Sequence, residues 1–356
     1  MTALQRNLFV WQQEEEEIEL TPKLLDVINV LEFVEIERFV PSYQGCVGRP
    51  GHHRPEIARA LVAKAVLNLP TTEALIDRLL QDLSLRRICG FQSRRDIPPS
   101  WTFSRAYAEF AAWDLPGRVH EALIQRELGD QIIGHLKHDS TAIEGREQPV
   151  PKPKTAPKEK RRRGRPRKGE ERPPETENVL AKQQGQSLEQ MLAEIPKPCD
   201  VGCKKNSQGY KETWVGYKLH ISTADGDIPV AAVLSSASTH DSQVMLPLMH
   251  LCHQRVTSLY DLADSAYCSG MIREESRQLG HVPLIDHNPR RGEKREFLPH
   301  EAQRYKERSG VERSNSSLKD NRGGRHVRVR GPVKVYAHLM YGILVIAAEQ
   351  LLRLLN

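Results

Sequence analysis

The sequence predicts an α/β protein, a mixed-sheet core preceded by an all-α region. Residues 22–130 keep apolar side chains at helical spacing, and from residue 131 β-branched runs alternate with helical ones. A third sign is the ADGD turn between strand-like runs at 212–224 and 227–238, which marks a hairpin. At 356 residues the chain exceeds a usual single core, which suits two domains, or one with large insertions.

In the helical region, PEIARALVAKAVLNLPTTEALIDRLLQDLSLRRICGF (55–91) places Ile57, Leu61 and Ala65, then Leu75, Leu79, Leu80 and Leu83, at helical spacing. Pro70 divides it into two helices, with Thr71 or Thr72 as N-cap of the second. WTFSRAYAEFAAWD (101–114) is a further helix, opened by Ser100 after two prolines. Two helices joined by a short turn suit docking on DNA, and suit a plain bundle or dimerisation module equally. QIIGHLKHDSTAI (131–143) has strand texture. The next 50 or so residues, 145–195, are rich in Pro, Lys, Arg, Glu and Gln. They read as a mostly disordered insertion with one short helix, SLEQMLAEI (187–195).

After the hairpin, DSQVMLPLMHLCHQ (241–254) reads as a helix capped at His240 and Asp241, and SLYDLADSAY (258–267) as a strand. SGMIREESRQLG (269–280) reads as a helix ending on Gly280, and HVPLIDHN (281–288) as a strand. YKERSGVERSNSSLK (305–319) and VYAHLMYGILVIAAEQLLRLL (335–355) are predicted helices, the second presenting an apolar stripe to the core or to another subunit. The division is a helical domain over 1–125, for DNA-end binding or dimerisation, and a catalytic domain over 126–356, interrupted at about 145–198.

This order of elements resembles the RNase H-like fold, where acidic residues at strand ends converge with one from a late helix. Asp139 ends HLKHD, Asp264 ends SLYDLAD, and Glu312 lies on the 305–319 helix. At 100° per residue, Tyr305, Arg308, Glu312 and Lys319 share an arc about 60° wide. A surface ion pair between Arg308 and Glu312 accounts for part of that stripe by itself. Converging carboxylates account for all of it. Three of them repel one another unless cations neutralise them, and an all-oxygen set favours Mg²⁺ or Mn²⁺. Two such ions per site activate the attacking oxygen and stabilise the departing one in displacement at phosphorus. Glu312 then ligates metal, while Arg308, Lys319 and the Tyr305 hydroxyl face phosphate oxygens. Asp261 and Asp286 compete for the second acidic position, and alternation sets Asp261 and Asp264 on opposite faces of a strand. Each aspartate also has the ordinary reading of a cap or turn former.

The pattern Y-x₂-R-x₃-E-x₆-K is matched without a gap at Tyr305, Arg308, Glu312 and Lys319. It resembles the signature around the glutamate of DDE transposases from bacterial insertion sequences. HDSTAI (138–143), GYKLH (216–220), THDSQ (239–243) and DSAY (264–267) are similar to that family's blocks around the first aspartate, the second strand, the first sheet-side helix and the second aspartate. SWTFSR (100–105), within the helical block 50–110, resembles the domain preceding that core. The resemblance covers most of the chain outside 1–20 and 145–198.

It implies cut-and-paste transposition by two-metal phosphoryl transfer, with Asp139, Asp264 and Glu312 as metal ligands. Tyr305, Arg308 and Lys319 carry over as contacts to the DNA backbone. It further implies double-stranded DNA as partner (transposon ends and target), a homodimer in the DNA complex, and a cytoplasmic, nucleoid-associated bacterial setting. A DNA-binding protein with a retired core, or a non-transposing nuclease of the same fold, are the alternatives. No tryptophan stands among the 47 residues between Asp264 and Glu312, which leaves Tyr267 or His287 to hold a flipped base in a hairpin pathway.

Charge agrees with a polyanionic partner: the net +6 hides EEEE at 14–17 and the basic run KPKTAPKEKRRRGRPRKG at 152–169. Within it, RGRPRKG carries Arg163, Arg165 and Arg167 and resembles an AT-hook that lies in a narrow minor groove; a solvated basic linker is the other reading. Cys199 and Cys203, four apart, match no common zinc module, so the cysteines read as free thiols of a reducing compartment. The longest apolar run, LMYGILVIAA (339–348), is about half a membrane span, and no membrane passage is expected.

Overall fold

The structure is a computed structural model that describes residues 20–41, 54–151, 178–205, 208–289 and 293–355. The acidic run at 14–17 and the arm bearing Arg163, Arg165 and Arg167 lie outside the described residues.

The first region is helical, as its periodicity predicts: α1 (Pro22–Val34), α2 (Arg54–Val66), α3 (Thr72–Gln81), α4 (Leu83–Ile88), α5 (Ser100–Ala112) and α6 (Leu115–Leu128). Their starts are fixed by side chains that accept from otherwise unpaired amides. Thr21 caps α1 through the Leu24 amide (3.4 Å), Thr71 caps α3 through Ala74 (3.1 Å), and Asp82 caps α4 through Leu85 (2.9 Å).

Six strands follow in one sheet: β1 (Ile132–Glu144), β2 (Asp200–Lys205), β3 (Lys211–Thr223), β4 (Pro229–Ser236), β5 (Thr257–Ala263) and β6 (Val282–Ile285). The order across is β2–β3–β1–β5–β6, with β4 also paired to β3. β1 is antiparallel to β3 and parallel to β5, which is in turn parallel to β6. The parallel steps run through α9 (Ser242–His253) and α10 (Gly270–Gln278), as crossovers require. This is the mixed sheet of an RNase H-like core.

Four expectations need correction. The stretch 305–319 is not one helix. α11 (Pro299–Tyr305) gives way to a 3₁₀ turn at Lys306–Arg308 before α12 (Ser309–Asn321). The insertion is more built into the fold than expected: besides α8 (Leu188–Glu194), the short helix expected at 187–195, it holds α7 (Val179–Gln184), and the two seat Leu180 and Met191 in a core with Met245, Met249 and Ile272. β2, unforeseen because DVGCKK carries almost no apolar alternation, pairs with Lys211–Gly216 of β3. The cap at α9 also differs: the Asp241 carboxylate takes the Lys218 ammonium at 2.8 Å, and His240 Nδ1 accepts from the Ser242 amide at 3.3 Å.

α13 (Pro332–Leu355) shares its packing among α6, α5, α2, β4 and α12. It is long and apolar enough to cross a membrane, but 72% of its apolar window is buried inside the protein, which makes it a core helix. One apolar cluster runs from α1–α6 through α13 to Leu136, Val230 and Val233 of the sheet, so the helical region and the sheet are packed on a common interior.

Candidate active site

Alternation along β1 decides what each of its residues faces. Lys137 and Asp139 point to the α12 side, while Leu136 and His138 point to the other. The register pairs Lys137 with Leu262 and His138 with Ala263, so one further step brings Asp139 level with Asp264, just past the end of β5. Carboxyl ends of parallel strands are where open α/β sheets place their sites.

Asp139 accepts a hydrogen bond from Asn315 Nδ2 of α12 at 3.0 Å. Burial and the adjacent Asp264 charge push its carboxyl up to about 6, with Arg308 and the Ser140 amide pulling the other way and Glu312 adding to the rise. Asp264 accepts from the Ala266 amide at 2.9 Å and so caps the turn Ser265–Tyr267. Its carboxyl is also raised, by burial first and then by Asp241 and Asp286, against the Ala266 amide and Arg308. Among the described residues, one cation acts on both carboxyls of this crowded acidic centre.

That cation is Arg308. Its Nη2 donates to Glu312 Oε1 at 2.5 Å, and its side chain is 21% exposed against 56% for Glu312. Burial works against its charge, and Tyr305, Glu312, Asp139 and Asp264 outweigh that effect. Tyr305 donates its hydroxyl to the Ala263 carbonyl at 3.2 Å and stacks near Phe297, with ring centroids 4.7 Å apart. Its hydroxyl therefore braces the end of β5 next to Asp264. Burial leads the effects that push that hydroxyl up to about 12, so it stays protonated.

Of the residues singled out from the sequence, Asp139, Asp264, Glu312, Arg308 and Tyr305 meet in one electrostatic neighbourhood. Lys319 does not join it. Two turns beyond Glu312, its ammonium is lowered by burial and by Lys204 and Arg325, with Asp320 and Glu144 as its acidic neighbours. Tyr267 is 1% exposed and cannot stack on a flipped base. Asp286 borders the centre, whereas Asp261 is fully buried on the opposite face.

Several functional side chains escaped the sequence reading. Asn315 follows Glu312 by three residues, the spacing that puts both on one helical face, and that signal was available. Lys137, 1% exposed, sits 3.6 Å from Asp225, 3.9 Å from Asp227 and 4.0 Å from Glu307, joining β1 to the β3–β4 turn and the 3₁₀ step. α12 reaches this close because residue 310 is glycine: a Cβ there would lie 2.4 Å from Asp227 Oδ1 and 2.9 Å from Lys137 Nζ. Arg313 then clamps Asp227 with two bonds of 2.6 and 2.9 Å.

Beneath the centre, on the other face, lies a closed polar network. Asp261 accepts from Ser276 (2.6 Å) and pairs with His138 Nε2 (3.1 Å) and His281 Nδ1 (3.0 Å), while His138 Nδ1 meets Ser222 Oγ (2.6 Å). Burial alone would raise the Asp261 carboxyl, yet the hydrogen bonds and charges of His138 and His281 hold it well below the carboxylate range. It is an ionised carboxylate with no access to water.

The donor set around Asp139 and Asp264 is all oxygen, which suits hard divalent cations, and the raised carboxyls mark negative charge that such a cation would relieve. Among the described residues no three His, Cys, Asp or Glu side chains are grouped so as to hold a metal ion, since Glu312 is turned to Arg308.

A family model described as the transposase DDE domain matches residues 132–347, and one described as a transposase domain (DUF772) matches residues 10–109. No curated protein and no solved structure matches the chain.

Proposed function

The chain belongs to the transposase DDE domain family, and from that premise we propose that it performs cut-and-paste transposition at the Asp139–Asp264–Glu312 centre. Transposase function, DNA as partner and use of divalent metal come with the family. The assignment of residues rests on one observation above others: the β1–β5 register sets Asp139 level with Asp264, whose charge raises the Asp139 carboxyl, opposite the 3₁₀ turn that carries Arg308 and the helix that carries Glu312.

Asp139, Asp264 and Glu312 would hold Mg²⁺ or Mn²⁺, two ions in the full site. Bound there, the metal supplies Lewis-acid activation of the attacking oxygen and charge relief at the leaving oxygen. The rest is done by the chain. Asn315 fixes the Asp139 carboxylate, and Tyr305 fixes the strand end before Asp264. Arg308 offers its fork of donors to a phosphate, in exchange for Glu312. Water then displaces the 3′-oxygen from the scissile phosphorus, leaving a 3′-hydroxyl and a 5′-phosphate. The freed hydroxyl next displaces a 3′-oxygen in target DNA, so one phosphodiester forms for each one broken. Two copies of the chain, one per end, complete the reading.

Mg²⁺-dependent cleavage of duplexes carrying the element's own ends tests the reaction directly. Wild type should cut and then join, and Asp264→Ala should do neither. Cutting by Asp264→Ala at the wild-type rate would sink the assignment, and cutting without joined products would leave a nuclease.

Arg308→Ala has a separate signature. Cleavage should fall on the order of 10- to 100-fold through the lost phosphate contact. Because Arg308 lowers the carboxyls of both Asp139 and Asp264, its removal should also carry the acid limb of the pH–rate profile to higher pH. A profile that drops in height without moving would assign Arg308 to phosphate alone.

A further inference from the structure

A cleft of about 380 Å³, separate from the acidic centre, opens between the helical region, the end of β1 and the residues around the start of α13. Its walls bring together Lys64 of α2, Arg146 just past β1, Arg328 and Arg330 of the segment before α13, and Lys334 of α13, with Glu73 of α3 as the carboxylate among them. Five cations thus face one acid. Arg328, Arg330 and Lys334 are exposed and make no ion pair among the described residues. Arg146 donates to the Arg328 carbonyl at 3.4 Å, which ties the two rims together. Burial lowers the Lys64 ammonium to about 8, with Glu73 opposing, and it keeps most of its charge at neutral pH.

Such a grouping has a cost within the folded chain. Like charges held on a concave wall repel, and the repulsion is relieved by a polyanion laid along the wall. His338 lines the same cleft but adds no charge, because burial and then Lys64 lower it to about 4; its Nε2 meets the Gly323 carbonyl at 3.1 Å. The uncompensated charge is therefore that of Lys and Arg side chains.

Position identifies the polyanion. Arg146 follows Asp139 by seven residues of extended chain, and Gly145 still bonds to Val215 at 2.9 Å, so the cleft lies roughly 20 Å from the acidic centre along β1. Between them stand Lys319, Lys204 and Arg325, next to Glu144 at the end of β1. A rise of roughly 3.4 Å per nucleotide makes that distance about six base pairs, well under a helical turn.

We infer that this cleft is a second seat for the DNA backbone, holding phosphates about six base pairs from the bond that is cut. The inference rests on the DNA reading above. It gives the segment 326–331 and the junction between the two regions a role in registering the duplex on the catalytic centre.

The test uses the full chain, a fluorescein-labelled random-sequence DNA duplex and a series of salt concentrations. Arg328→Ala/Arg330→Ala removes two exposed cations, and Lys23→Ala/Arg277→Ala removes two from exposed positions on α1 and α10 as a charge-matched control. The cleft variant should bind on the order of tenfold more weakly, and its slope of log K against log salt should be shallower by about 2. The control should keep the wild-type slope, and both should melt with the wild type. If the cleft variant keeps the wild-type slope, or the control loses as much, the cleft is not a backbone seat. If the wild type itself shows no salt-dependent binding, the DNA reading falls and takes this inference with it.

Discussion

Asp139→Asn is expected to melt at a higher temperature than the wild type at pH 7.5 while losing cleavage on the order of a thousandfold or more. The direction follows from the raised carboxyl. Asp139 ionises near pH 6 in the folded chain, against an ordinary 3.8, because it is buried beside Asp264. The folded state therefore binds this proton more tightly than the unfolded state does. Stability from this group is complete below about pH 4, falls as pH rises, and is lost above about pH 6. At neutral pH the ionised carboxylate costs the fold on the order of 3 kcal/mol, a cost the amide does not carry. The amide can still accept from Asn315, so the packing is kept.

At pH 4 the two proteins should melt together, and the gap should open between pH 4 and 6. Mg²⁺ gives a readout independent of cleavage: it should raise the melting temperature of the wild type and much less that of the variant. A variant that melts below the wild type at pH 7.5 would show that the Asp139 charge is compensated, and the metal assignment would lose its electrostatic basis.

The opposite outcome is expected one layer below. Asp261→Asn should destabilise the chain by about 3–5 kcal/mol, a fall in melting temperature on the order of 10 °C. Asp261 is ionised, fully buried, and accepts from Ser276 while pairing with His138 and His281. An asparagine supplies one acceptor oxygen where two are in use, and its amino group would face a donor. Stranded buried donors of this kind each cost about 1–3 kcal/mol. Since His138 is the neighbour of Asp139 and Asp261 lies three residues before Asp264, activity should fall along with stability. Melting within 2 °C or so of the wild type would mean that the network is only filling space.

The two predictions mark how far the sequence could be read. Asp139, Asp264, Glu312, Arg308 and Tyr305 could be named because they sit in short linear phrases, and the structure brings them into one field. The single helix expected for Tyr305, Arg308, Glu312 and Lys319 is broken, since the 3₁₀ step at Lys306–Arg308 comes between, Tyr305 bonds to Ala263 and Lys319 lies with Lys204 and Arg325. Wheel arithmetic assumes one helical period, and local sequence gave no sign of the change. The Asp261–His138–His281 network was illegible for another reason: its members come from β1, β5 and the start of β6, and a histidine inside a strand pattern looks like any polar interruption. The cationic cleft is hidden in the same way, assembled from positions 64 to 334. α7 and β2 escaped because their sequences are almost wholly polar: burial falls on Leu180 and Gln183 in α7 and on Gly202 in β2.

β1 has a consequence for how this protein can change over time. Positions 138 and 139 are adjacent in the chain and opposite in space, one committed to a buried hydrogen-bonded network and the other to the half-buried acidic centre. On the proposed function, a change at 139 should remove cleavage and leave the fold intact, whereas a change at 138 should weaken the fold itself. Insertion of one residue between them would shift the strand by one position and turn the following side chains to the opposite face. The two positions are therefore separable by experiment: a change at one should give a folded protein without cleavage, and a change at the other a less stable chain.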